Sequence, residues 1–142
     1  MADQGRILTG RTQRLARLLR AQSEMVKVQE AGLLQCERKE AALVSARHEL
    51  DAIAAELGQA RPAFLPPTLH RLAATDQLLV QAGTEVDEAR RKLLSAKGRQ
   101  KSIAARERLL RSTVERKAAE LEALEHALTM SAKASGKDDV VG

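Results

Sequence analysis

Between Leu72 and Leu128 the chain repeats apolar residues in alternating steps of three and four, with no proline to interrupt them. One set, spaced by seven, reads Leu72, Leu79, Val86, Leu93, Gln100, Glu107, Val114, Leu121 and Leu128. The set three residues further on reads Thr75, Ala82, Ala89, Ala96, Ile103, Leu110, Lys117 and Leu124. Such spacing puts both sets on one stripe of an α-helix, the seam of a coiled coil. At 1.5 Å per residue that helix would be about 85 Å long. The pattern therefore predicts a rod, and a rod whose stripe needs a partner.

A second stripe precedes it. Leu8, Thr12, Leu15, Leu19, Gln22, Val26, Gln29, Leu33 and Cys36 share a face, the frame blurs at Lys39 and Glu40, and it resumes as Leu43, Ala46, Leu50, Ile53 and Leu57. Gly58 stands where a glycine commonly closes a helix, and all three prolines fall between Gly58 and Pro67. The expected organisation is all-α: helix 1 over about residues 6–57, a turn over 58–67, helix 2 over about 68–130, and a disordered tail over 131–142.

A short connection makes successive helices antiparallel, and folding this chain back pairs positions whose numbers add to about 129. Leu57 then faces Leu72, Leu50 faces Leu79 and Leu43 faces Val86. Polar positions also match, Gln29 with Gln100 and Gln22 with Glu107. Polar seam residues cost stability and fix register, so their coincidence favours one intramolecular two-helix coiled-coil hairpin over a homodimer of long straight helices. Two helices bury little surface, and the interior glycines Gly32, Gly83 and Gly98 weaken them further. Helix 1 also runs out of residues to cover Leu121, Leu124 and Leu128. The hairpin reads as something completed by a partner.

Composition narrows the chemistry. Phe64 is the only aromatic residue, and the apolar fraction is mostly Ala and Leu, as in long helices. A layered core with an active-site cleft is not expected. Cys36 is the single cysteine, which fits a reducing compartment. No apolar run approaches the roughly 20 residues of a membrane span, and the N-terminus lacks the apolar core of a signal peptide, so a cytoplasmic protein is expected. His48, His70 and His126 are scattered and do not converge on Cys36, so no metal site follows. There is no glycine-rich phosphate loop and no nucleophile–base arrangement. No catalytic residue and no cofactor is expected, and the chain is read as not an enzyme.

The net charge of +5 is unevenly spread. Arg6, Arg11, Arg14, Arg17 and Arg20 open helix 1, and residues 90–117 of helix 2 carry eleven Lys and Arg against Glu107 and Glu115. Both basic stretches fall in the terminal half of a hairpin, while the turn half is mildly acidic, an asymmetry suited to docking. Nucleic-acid binding by charge alone remains an alternative, although the basic half has no aromatic stacking positions. Phe64 and Leu65, set among prolines, either cap the seam or offer an anchor to a partner.

The opening RTQRLARLLRAQSEMVKVQE, with a shorter first helix, a Pro-bearing turn and a longer second helix, resembles the flagellar export stalk proteins of the FliJ type and their YscO-type counterparts in type III secretion. The resemblance covers about residues 6–130. It implies a bacterial central stalk, lying at the cytoplasmic side of the inner-membrane export apparatus, whose helix ends enter a hexameric export ATPase. The remainder would contact the export gate protein and export chaperones. The implied ring-facing residues are Arg11, Arg14, Leu15, Arg17 and Leu18 with Arg111, Arg116, Leu121 and Leu124, and Phe64 and Leu65 would mark a tip contact.

Overall fold

The computed structural model describes residues 2–141, with side chains described over 5–136. Helix α1 spans Ala2–Ala60 and helix α2 spans Leu65–Val141, joined by Arg61 and a 3₁₀ turn over Pro62–Phe64. The described residues contain no strand, and the two helices pack against each other as a helical hairpin.

The connection is tighter than the 58–67 turn expected from sequence. Gly58 does not end α1, and no described glycine adopts a positive φ. Pro62 ends it instead, because the residue before a proline is driven out of helical geometry; Arg61 sits at φ −145°, ψ 71°. The Arg61 amide still donates to the Leu57 carbonyl at 2.8 Å, and the Phe64 amide to the Arg61 carbonyl at 3.1 Å. Pro66 and Pro67 lie in the first turn of α2, where helix amides have no intrahelical acceptor to lose. At the far end α2 continues through residues 131–141, where a disordered tail was expected.

Contacts divide the chain into residues 22–100 and a second unit of residues 1–21 with 101–142. In the 22–100 unit Val26, Leu72, Ala82, Val86 and Ala96 are buried, with Thr75 beside them. Ala82 and Val86 are the most enclosed, at 1% and 3% exposure. Each lies on the stripe read from sequence. Along α1 that stripe passes through Glu40 without a break, and after Leu50 it takes Ala54 in place of Ile53, which is 46% exposed.

Within the 22–100 unit the register is shifted from the expected one. Ser23 meets Gln100, Lys39 meets Glu85 and Arg47 meets Asp76, pairs whose numbers add to 123 or 124, while Lys97–Glu30 and Arg90–Glu37 add to 127. The Gln100 side chain donates to Ser23 Oγ at 3.0 Å, and Gln22 donates to the Ala96 carbonyl at 3.1 Å. Gln29 therefore does not face Gln100; it borders the same shallow groove as Ser95 and Ala96. The turn is the physical cause. With only Arg61 to Phe64 between the helices, Leu65 comes back beside Gly58, within 4.0 Å of where a β-carbon would stand. Matching Leu57 to Leu72 would need a wider loop.

Ion pairs flank this seam: Lys97–Glu30 at 3.9 Å, Arg90–Glu37 at 3.7 Å, Lys39–Glu85 at 3.2 Å, and Arg47 with Asp76 and Asp51. All are well exposed, so they select register more than they stabilise. Arg47 is held above the ordinary guanidinium range, chiefly by its hydrogen bond to Asp76, then by the charges of Asp76 and Asp51. A raised folded pKa contributes stability that is present below the unfolded value and lost as pH rises through the folded one, so the guanidinium side of this contact stays charged across neutral pH.

Gly32 and Gly98 lie inside helices with no atom within 4 Å of an added β-carbon. Gly32→Ala and Gly98→Ala are each expected to raise stability by about 1 kcal/mol by restricting the unfolded chain. Urea unfolding of the single and double variants measures it.

Candidate functional site: the basic terminal unit

Within residues 1–21 and 101–142, α1 carries Arg6, Arg11, Arg14, Arg17 and Arg20, and α2 carries Lys101, Arg106, Arg108, Arg111, Arg116 and Lys117. Only one ion pair forms among the described residues of this unit, Arg111 with Glu107 one helical turn earlier. The other cations stand on exposed helix surface without a carboxylate partner, leaving a concentrated positive field.

Two grooves run between the helices here. Arg11, Arg14 and Leu15 of α1 with Arg106, Leu109 and Leu110 of α2 line an open groove of about 650 Å³. Leu15 and Leu110 are half-buried along it, and its arginines are exposed. Leu109 is 70% exposed. The second, about 400 Å³, lies among Leu8, Val114, Lys117, Leu121 and Leu124. The seam opens at this point: stripe positions up to Val114 are at least half-buried, whereas Lys117, Leu121, Leu124 and Leu128 are exposed.

The structure thus brings together Arg11, Arg14 and Leu15 at the first groove, and Leu121 and Leu124 at the second. Arg17, Leu18 and Arg116 are exposed and line neither. Arg111 is engaged with Glu107, which is 6% exposed. Glu107 was expected opposite Gln22, but Gln22 is spent on Ala96 and the buried carboxylate is neutralised by its own helix. At the turn, Phe64 is 60% exposed and does not cap the seam, while Leu65 packs toward Gly58. Sequence reasoning counted Arg106 in the basic stretch without naming it as a site residue, and passed over Leu109. The signal was present in Leu109–Leu110, where two adjacent leucines cannot both occupy one seam stripe.

Arg111→Ala is expected to destabilise by about 1–3 kcal/mol, because it strands a buried carboxylate. Adding Glu107→Gln should restore much of the loss, and thermal melts of the single and double variants decide it.

Among the described residues no group of three or more His, Cys, Asp or Glu is placed to hold a metal, and Cys36 is a half-buried free thiol. No helix among them is long and apolar enough to cross a membrane. No protein-family model, no curated protein and no solved structure matches this chain.

Proposed function

We propose that this chain is a non-enzymatic central stalk and chaperone escort of a bacterial flagellar or type III protein export apparatus. Its helices form an antiparallel coiled coil, and its terminal unit enters a hexameric export ATPase and promotes ring assembly and activity. The observation that carries this reading is the groove lined by Leu15, Leu110, Arg11, Arg14 and Arg106, in a unit whose described cations, Arg111 apart, form no ion pair among the described residues. A ring pore presenting carboxylates would satisfy those guanidiniums, and its apolar side chains would cover Leu15 and Leu109. The rest of the hairpin contacts the export gate protein and export chaperones, with Phe64 as the tip contact, and the protein works on the cytoplasmic side of the membrane.

The test is phosphate release by a purified export-type ATPase with and without this protein. Stimulation, with no hydrolysis by the protein alone, is expected. The same unpaired arginines also suit a phosphate backbone. A salt-dependent gel shift with duplex DNA near physiological salt, and no stimulation, would favour a nucleic-acid arm instead.

A further inference from the structure

We propose that the terminal unit also binds a second copy of this chain, the acidic leucine stripe of each copy lying in the arginine-rimmed groove of the other. Leu121, Leu124 and Leu128 continue the seam stripe of α2, yet they are 49%, 56% and 67% exposed. Such a stripe in water is an unfilled contact surface. Its charge is opposite to that of its surroundings. Residues 118–128 hold Glu120, Glu122 and Glu125 and no Lys or Arg, and none of these carboxylates has an ion pair among the described residues. At 100° per residue, Glu120 and Glu125 stand on the two flanks of the leucine stripe.

The complementary surface lies a few turns earlier on the same unit. The groove is lined by half-buried Leu15 and Leu110 and exposed Leu109, together with exposed Arg11, Arg14 and Arg106. A stripe of leucines flanked by glutamates and a trough of leucines flanked by arginines match in both polarity and charge. Because both surfaces belong to one molecule, two copies turned end for end about a two-fold axis make the contact twice. That is a closed, self-complementary interface. Pairing the leucine stripes with each other would instead set glutamates against glutamates. The dimer joins two hairpins and differs from a pairing of straight helices; it does not rest on the stalk reading, and because it fills the same groove it would compete with a ring contact there.

Sedimentation of the full chain tests it, comparing wild type with E120R/E125R and with R14E/R106E. Wild type is expected to dimerise at low salt and to dissociate as salt is raised. Each double variant alone sets like charges against each other and should weaken association at least about tenfold. Mixing the two variants restores opposite charges at both contacts, so a heterodimer should form where neither self-associates. Circular dichroism confirms that both variants keep their helices. A wild-type monomer at every salt concentration, or variants that dimerise as wild type does, would overturn the proposal.

Discussion

Val86→Asp is expected to abolish the cooperative unfolding transition of this protein. Val86 is 3% exposed and neighbours Ala82, the most enclosed residue, on the same stripe of α2. A carboxylate placed there finds neither water nor a partner, and an uncompensated buried charge costs about 3–5 kcal/mol. Single domains are stable by only about 5–15 kcal/mol, and two helices that share one seam belong at the bottom of that range. The helices should separate and much of their helicity should go with them, since long helices in proteins are held by packing more than by propensity. Val80→Asp is the control. Val80 is 73% exposed, and its replacement should change stability by no more than about 0.5 kcal/mol. Circular dichroism melts of the two variants read the contrast directly. A Val86→Asp protein that melts with its parent would show that this stripe is not the core.

Under the proposed stalk role, Arg11→Ala combined with Arg14→Ala is expected to reduce stimulation of a hexameric export ATPase at least about tenfold, a loss of about 1.4 kcal/mol of interaction. Both guanidiniums edge the groove of the terminal unit and neither is committed to an ion pair among the described residues, so removing them subtracts charge without stranding a partner. Arg111 is unsuited to this purpose. Its loss would leave Glu107 buried and unpaired, and a fall in stimulation could then come from a weakened fold. The matched control is Arg91→Ala with Arg99→Ala in the 22–100 unit, which removes equal charge and should leave stimulation unchanged. Equal losses in both pairs would reduce the effect to net charge and count against the terminal groove.

The faces of both helices were legible because periodicity depends only on the helix itself. Every stripe position from Leu72 to Val114 is buried or half-buried, including the polar Thr75, Gln100 and Glu107. How the stripes meet was not legible, because register depends on the turn. Three prolines suggested a wide connection, and matching leucine to leucine then placed Gln29 against Gln100. The chain instead turns within Arg61 to Phe64, and Gln100 pairs with Ser23. For the candidate site, the charge asymmetry pointed to the terminal half of the chain, whereas Arg11, Arg14 and Leu15 were named as site residues only through the resemblance; all three line one groove there. Arg106 and Leu109 come from the flank of the seam, where a residue's role is set by the crevice between two helices and not by its own helix. The pairing of Glu107 with Arg111 followed a simple one-turn spacing, but the burial that makes it matter needed the neighbouring helix in place.

Intramolecular crosslinking tests the central claim most directly. In a Cys36→Ser background, cysteines replacing Ser23 and Gln100 are joined with a short bifunctional thiol reagent at low protein concentration. A second protein carries cysteines in place of Gln29 and Gln100. The doubled-back chain predicts rapid crosslinking within single molecules for the 23/100 pair and slower reaction for 29/100. Crosslinks found only between molecules, or a 29/100 pair that reacts faster, would contradict it.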